Sequence, residues 1–127
     1  MDLITISNDK ELLGKIEKVC NSLSIKFTVY KGEKNALEVM STVCSDSFNT
    51  IILDDDFLSN DSPQILAALL KVNKKLKVIF LTSDSSVERG RLICGIGVYY
   101  YSIKPVEQSE LFEAIQSINK IRNQLIN

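Results

Sequence analysis

Three chemically distinct side chains follow apolar segments that have the character of buried strands. Asp54 begins a run of three acids after residues 51–53, Thr82 ends the segment 77–82, and Lys104 precedes Pro105 after the segment 98–103. A carboxylate can accept a phosphoryl group as an acyl phosphate, which is one form of covalent intermediate. A hydroxyl and an ammonium group can bind the phosphoryl oxygens, and a divalent cation can neutralise the remaining charge. These residue types therefore favour phosphoryl chemistry, provided that the fold brings them together.

Apolar segments of two kinds alternate along the chain and predict the elements that would hold these residues. Strand-like segments cover residues 3–6, 25–30, 50–53, 77–82 and 98–103. Helical patterns, with apolar side chains at three- and four-residue spacing, lie near 12–23, 33–45 and 62–72, after Ser85, and near 107–123. Five β–α repeats with short connections predict one α/β domain, residues 1–127, in which helices cover both faces of a parallel sheet.

The composition of individual strands predicts their order in the sheet. Residues 50–53 and 78–81 are continuously apolar or nearly so, which is typical of central strands buried on both faces. Residues 25–30 alternate between apolar and polar, which is typical of an edge strand. The pattern favours a flavodoxin-like (βα)5 doubly wound sheet with strand order 2-1-3-4-5. Ligands bind such sheets beyond the carboxyl ends of the strands, where Asp54, Thr82 and Lys104 are expected.

Short polar signals predict where helices begin. Asn8 with Glu11, and Ser85 with Glu88, have the spacing of a capping box. Ser62 followed by Pro63 is typical of an N-cap and a first helical residue. Capping is a purely structural alternative to a ligand-binding role for Asn8. In the same way, the three acids that begin at Asp54 have an alternative interpretation as solvated loop charges.

Composition excludes several classes of function. The net charge of −1 gives no bulk attraction to nucleic acid or to an anionic membrane. No apolar run approaches the roughly 18–20 residues that span a bilayer, and the N-terminus lacks the pattern of a signal peptide, so we expect a cytoplasmic protein. The three cysteines have no CxxC spacing, and we interpret them as small core residues rather than disulfide or zinc ligands. The absence of histidine removes the commonest general base, so we expect no classical enzyme.

The motifs around these positions resemble those of the receiver (CheY-like) domain of bacterial two-component response regulators. The resemblance covers nearly the whole chain and rests on the segments FNTIILDDD, VIFLTS and YYYSIKPV. Asp54 and Thr82 are 28 positions apart, and Thr82 and Lys104 are 22 positions apart, which is ordinary for that family. The resemblance implies that Asp54 accepts a phosphoryl group from a histidine kinase. It also implies that Thr82 and Lys104 bind this group and that Lys104-Pro105 is a cis peptide.

The same resemblance implies how such a domain would signal. Tyr101 lies at the position of the rotameric aromatic residue of the family, which reports phosphorylation on the face formed by the fourth helix, fifth strand and last helix. The implied catalysis is at most self-catalysed phosphoryl transfer to and from Asp54. The implied partners are a histidine kinase and a downstream protein or linked output domain outside this sequence, with no direct binding of nucleic acid or membrane.

The end of the first strand departs from the family pattern. Receiver domains usually have two adjacent acids there that hold Mg²⁺, whereas this chain has Ser7 and Asn8, followed by Asp9. The metal ligands implied by the resemblance are Asn8, Asp9, Asp54 and the main-chain carbonyl of Asp56. The loss of two formal charges predicts a weakened Mg²⁺ site. The side chains of Asp55 and Asp56 are predicted to be loop acids with no required role.

Two functional hypotheses therefore stand within the receiver interpretation. In one, Asp54 is phosphorylated with Mg²⁺ weakly bound; in the other, the domain is a pseudo-receiver that binds a partner protein without phosphorylation. A flavodoxin-like cofactor carrier is disfavoured, because residues 7–11 offer no Ser-, Thr- and Gly-rich phosphate loop.

Tyr99 and Tyr101 are predicted to share one face of the strand and Tyr100 the other. Aromatic residues there favour a docking patch over a salt-bridged dimer, and a homodimer of another kind is left open.

Overall fold

A parallel sheet of five strands forms the centre of the chain. A computed structural model describes residues 2–46 and 48–126, and describes side chains as far as residue 121. The strands are β1 (Asp2–Ile6), β2 (Lys26–Val29), β3 (Thr50–Asp54), β4 (Lys77–Thr82) and β5 (Tyr100–Ile103). They are ordered β2-β1-β3-β4-β5, and every neighbouring pair is parallel. The predicted flavodoxin-like order is confirmed.

Helices connect the strands and lie on both faces of the sheet. They are α1 (Lys10–Ser22), α2 (Ala36–Ser45), α3 (Ser62–Val72), α4 (Val87–Ile96) and α5 (Gln108–Ile126). A helical turn (Asp55–Leu58) and a 3-10 turn (Ser59–Asp61) lead from β3 into α3. Helices α1 and α5 contact each other, whereas α3 contacts α2 and α4. In the part of the chain that the structure describes, no helix combines the length and apolar character needed to cross a membrane.

Alternate residues of the central strands fill two separate cores. Ile51 and Leu53 belong to the core under α2, α3 and α4, whereas Ile52 belongs to the core under α1 and α5. Each fully buried aliphatic side chain of this kind stabilises the fold by roughly 1.5–3 kcal/mol. Every residue of β3 is buried, while β2 alternates between exposed and half-buried residues. The sheet therefore fixes the end of β3 rigidly, and β2 has the edge position that its alternation predicted.

The helices begin at slightly different residues from those predicted. Asp9, rather than Asn8, is the N-cap of α1, and its carboxylate accepts from the Leu12 N–H at 3.2 Å. Ser86, rather than Ser85, caps α4. Ser62 is already helical, and no side chain caps that helix. At α1 and α4 the cap lies one residue later than predicted. Two adjacent residues of similar capping ability stand at each start, Asn8 with Asp9 and Ser85 with Ser86, and the second of each pair is the cap.

Two predictions about the burial of particular side chains are wrong. Cys20 is buried in the core under α1 and α5, but Cys44 and Cys94 are exposed. Tyr99 and Tyr100 both pack against the core under α1 and α5, whereas Tyr101 packs against the opposite core. The predicted alternation fails at Tyr99 because β5 begins only at Tyr100. The Tyr99 hydroxyl instead forms a hydrogen bond with the Ser117 hydroxyl on α5.

Candidate functional site

The carboxyl ends of β1, β3 and β5 bring an acid, an ammonium group and a hydroxyl together. Asp54 ends β3 and is only 1% exposed, because the neighbouring strands enclose it. The Lys104 Nζ lies 2.9 Å from one carboxylate oxygen of Asp54, which also accepts from the Asp56 N–H at 3.0 Å. The Ser7 hydroxyl donates to the other oxygen at 2.6 Å. Both oxygens of this buried carboxylate are therefore hydrogen-bonded, as a buried charge requires.

Lys104 is the positive centre of the site. Its ammonium group lies 3.2 Å from an Asp9 oxygen and 3.1 Å from an Asp56 oxygen, in addition to its contact with Asp54. Its peptide bond with Pro105 is cis, as predicted. Burial lowers the pKa of Lys104, but the hydrogen bonds to Asp54 and Asp56 outweigh burial and raise this pKa to about 12. One cation thus holds three carboxylates at the mouth of the sheet.

Asp9 and Asp56 form the outer part of this ionic cluster. Burial raises the pKa of Asp9, but its hydrogen bonds to the Leu12 N–H and to Lys104 together lower this pKa by more, so the net shift is downward. The pKa of Asp56 is also lowered, because the Ser83 hydroxyl and Lys104 outweigh its partial burial. The Ser83 hydroxyl donates to Asp56 at 2.6 Å. The prediction that Asp56 has no role for its side chain is therefore wrong, since this carboxylate links the ends of β3, β4 and β5.

The fit of the site to Mg²⁺ can be judged from its donor atoms. Asp9, Asp54 and the Asp56 main chain supply oxygen atoms of the type that Mg²⁺ prefers. The carboxylates of all three acids, however, are gathered around Lys104, and Ser7 occupies one oxygen of Asp54. Among residues 2–46 and 48–126, no group of three or more acidic, histidine or cysteine side chains is arranged to hold a metal ion. In this arrangement the residues do not fit a divalent cation, and the Mg²⁺ ligands stay predictions.

Thr82 is fully buried at the end of β4, but its hydroxyl is turned to Asp55. This hydroxyl donates to an Asp55 oxygen at 2.7 Å and accepts from the Asp84 N–H at 3.0 Å. Arg89 of α4 binds both oxygens of the same carboxylate, and its Nε lies 3.2 Å from the oxygen that Thr82 contacts. Asp55 is only 5% exposed, so the prediction that it is a loop acid without a role is also wrong.

Tyr101 of β5 lies against Gly90 of α4. Its ring stacks on that of Phe80, with 5.8 Å between the centroids and 5° between the planes. Its hydroxyl is buried and has no hydrogen-bond partner among the described residues. Burial, together with the nearby charge of Asp84, raises the pKa of this hydroxyl. A buried hydroxyl without a partner is costly, and the role of Tyr101 as a switch stays a prediction.

Comparison with known proteins identifies the fold. No family model and no curated protein matches the sequence. Solved structures do match, including a CheY-like response regulator receiver domain protein from Methanospirillum hungatei, with a TM-score of 0.79 at 18% identity over 97% of this chain and 96% of that one. This is the response regulator receiver fold. The receiver domain of a Francisella response regulator shares it, with a TM-score of 0.79 at 21% identity over 95% of this chain and 98% of that one. An orphan response regulator of H. pylori matches with a TM-score of 0.77 at 17% identity over 92% and 94% of the two chains.

Within the receiver fold, sequence reasoning missed the partners that come from distant parts of the chain. Arg89 lies 34 positions after Asp55, and Ser83 lies 27 positions after Asp56. No local pattern marks either pair. The run of acids directly after a buried strand is the one sequence feature that points to such partners. An acid in that place is enclosed by the neighbouring strand ends and therefore needs a partner. The sequence pattern predicts Ser7 only as the loss of an acid, whereas its hydroxyl donates directly to Asp54.

Proposed function

We propose that this chain is a signalling receiver domain that accepts a phosphoryl group on Asp54 from a histidine kinase. The observation that carries this proposal is the contact of 2.9 Å between the Lys104 ammonium, just after β5, and the buried Asp54 carboxylate at the end of β3, at the carboxyl ends of the strands of a receiver fold. An ion pair with only a structural role does not need to place a buried carboxylate at the carboxyl ends of the strands, where ligands bind in such sheets. Perturbed charges gathered at the end of a parallel sheet are typical of a functional site.

The chemistry proposed for Asp54 is nucleophilic attack on phosphorus. A carboxylate oxygen forms a bond to phosphorus while the bond from phosphorus to the kinase histidine nitrogen breaks, and the nitrogen retains the electron pair of that bond. Lys104 offsets the negative charge that accumulates on the phosphoryl oxygens. A cavity of about 270 Å³ opens beside Asp9, Ser83 and Lys104 and gives the donor a route to the site. The Asp54 oxygen that Ser7 contacts accepts one hydrogen bond among the described residues, so it keeps a lone pair with which to attack phosphorus.

The surface proposed to transmit the signal is formed by α4, β5 and α5. Among the side chains that the structure describes, three large apolar ones are exposed on or beside it: Val87, Leu92 and Ile103. The stacked ring of Tyr101 lies behind this surface and touches the Phe80 side of the core. A change of the Tyr101 position would therefore alter a surface that already exposes apolar side chains to a protein partner.

A second candidate is a pseudo-receiver that binds its partner without phosphorylation. The observation that favours it is Ser7, which stands in place of an acid and donates to the acceptor carboxylate at 2.6 Å. Together with Lys104, this hydroxyl gives both oxygens of Asp54 a partner in the resting domain. A domain held in this way would present one constant surface to its partner.

Intact mass spectrometry distinguishes these candidates. The protein is incubated with a small-molecule phosphodonor, with and without Mg²⁺ up to tens of millimolar, beside the variants Asp54→Asn and Asp61→Asn. Asp61 is an exposed acid a few residues away and serves as the matched control. Gain of one phosphoryl group in wild type and Asp61→Asn, but not in Asp54→Asn, would support the proposed acceptor. No gain in wild type at any Mg²⁺ concentration would refute it and favour the pseudo-receiver.

A further inference from the structure

A buried acid next to the acceptor requires an explanation of its own. Asp55 follows Asp54 directly, yet its side chain is only 6% exposed. Its carboxylate pairs with Arg89 rather than with Lys104. Burial of an unpaired carboxylate is strongly unfavourable, so Asp55 depends on the partners that it contacts. Arg89 supplies two donor groups to the two oxygens, and the same guanidinium donates to the Ser59 carbonyl at 3.1 Å. The bidentate contact fixes the plane of the carboxylate.

That fixed plane directs one oxygen of Asp55 at Thr82. The oxygen accepts from Arg89 Nε at 3.2 Å and from the Thr82 hydroxyl at 2.7 Å. A threonine hydroxyl has one proton to donate, and here it is donated to Asp55. The Thr82 hydroxyl oxygen also accepts a hydrogen bond from the Asp84 N–H. Thr82 therefore has no proton left for a phosphoryl group on Asp54 while this arrangement lasts.

We propose that Asp55 and Arg89 are positioning residues that hold Thr82 in its resting orientation and compete with a phosphoryl group on Asp54 for its hydroxyl proton. This inference rests on the proposed phosphorylation of Asp54. Asp55 is the competing acceptor, and Arg89 pairs with that acceptor and keeps it oriented. A hydrogen bond to a charged group is strong enough to shift such an equilibrium by roughly tenfold or more. The pair thereby sets how readily the domain leaves its resting state.

The contact also joins the site to the surface proposed for signalling. Arg89 belongs to α4, whereas Asp55 belongs to the turn after β3. If Thr82 turns away from Asp55, the carboxylate loses one of the two donors on that oxygen, and Arg89 becomes its main partner. Helix α4 is thus tied to the residue that follows the acceptor, in addition to any movement of Tyr101.

The first test uses the unphosphorylated full chain and needs no phosphodonor. Side-chain couplings measured by NMR give the Thr82 rotamer, and hydrogen exchange of the Asp84 amide reports the bond that Thr82 accepts. In Asp55→Ala we expect averaged Thr82 rotamers and at least fivefold faster exchange of the Asp84 amide, whereas Asp61→Ala should resemble wild type. Since Asp55→Ala leaves Arg89 without its partner, the paired variant Asp55→Ala/Arg89→Ala removes both charges. A single unchanged Thr82 rotamer in both variants would overturn the proposal.

The second test measures phosphoryl transfer in the same proteins. We expect Asp55→Ala to take up the phosphoryl group about three to ten times faster than wild type and to lose it more slowly, because Thr82 is free to bind it. Simple destabilisation would not accelerate uptake. Arg91→Ala, which changes an exposed arginine of α4, should leave both rates unchanged. If wild type is phosphorylated and Asp55→Ala has the same two rates, the competition is refuted while the proposed function stands. If no protein is phosphorylated but Thr82 is released in Asp55→Ala, the proposed function fails and the positioning role of Asp55 stands.

Discussion

Replacement of Lys104 by methionine tests whether one ammonium group holds the site together. The substitution keeps an unbranched side chain of similar length and removes only the charge and the donors. It leaves Asp54 buried without a cationic partner, and loss of one member of a buried ion pair costs about 3–5 kcal/mol. The side chains of Asp9 and Asp56 are 38% and 41% exposed, so their contacts with Lys104 add at most about 1 kcal/mol each. We therefore expect the free energy of unfolding to fall by about 3–5 kcal/mol at neutral pH, most of it from Asp54.

Urea denaturation followed by far-UV circular dichroism measures this loss directly. The slope m should stay that of wild type, because the surface exposed on unfolding is nearly unchanged. For a domain of this size the same loss corresponds to a fall in Tm of roughly 10–20 °C. Lys71→Met, on the exposed side of α3, is the matched control and should change stability by less than about 0.5 kcal/mol. A loss below about 1 kcal/mol in Lys104→Met would refute the role assigned to the ammonium group.

The difference between wild type and Lys104→Met should also depend on pH. Protonation removes the repulsion among the carboxylates that Lys104 no longer neutralises. The destabilisation measured at pH 7 should therefore become smaller as the pH approaches 4. A difference that stays constant over this range would mean that lost packing of the lysine stem, rather than lost charge, explains the effect.

Three further predictions follow from the same cluster and its surroundings. Ser7→Asp places a second carboxylate beside the acceptor, so Tm should fall without Mg²⁺ and recover with 10 mM Mg²⁺ more than in wild type; equal Mg²⁺ responses would contradict this. The folded-state pKa values of Asp9 and Asp56 are lowered, so their stabilising contribution is present above about pH 4 and is lost as the pH falls through the folded pKa values; urea midpoints measured from pH 6 to pH 2 test this. Tyr100→Phe removes the bond of 2.6 Å to Glu110 and should raise the pKa of that acid, as measured by NMR titration.

The sheet could be predicted from the sequence because its signals are local and repeated. Residues 50–53 and 78–81 are apolar, or nearly so, on both faces, which predicts central strands. Residues 26–29 alternate, which predicts an edge strand. Helix starts are predicted only to within one residue at α1 and α4. Asn8 and Asp9 both have side chains that can cap, and only the three-dimensional path of the chain decides which of them accepts from the first turn.

The candidate site could be predicted only in part. The positions of Asp54, Thr82 and Lys104 at strand ends follow from the strand pattern. The partners of Thr82 do not, since the choice between two adjacent acids depends on the turn after β3 and on an arginine supplied by α4. The sequence does not predict the burial of Asp55, because an acid next to a strand end is equally typical of a solvated loop.

The spacing of the site along the chain has a consequence for how the protein is made. Asp9 and Lys104 are 95 positions apart, and Ser7 and Asp54 are 47 positions apart, so the cluster joins nearly the whole length of the sequence. During synthesis the three acids emerge before the one cation that neutralises them. Because the entropy of loop closure opposes contacts between such distant positions, we expect the cluster to form late in folding. It is completed when β5 joins the sheet, and a nascent chain that ends before β5 would carry mutually repelling acids and no counter-ion.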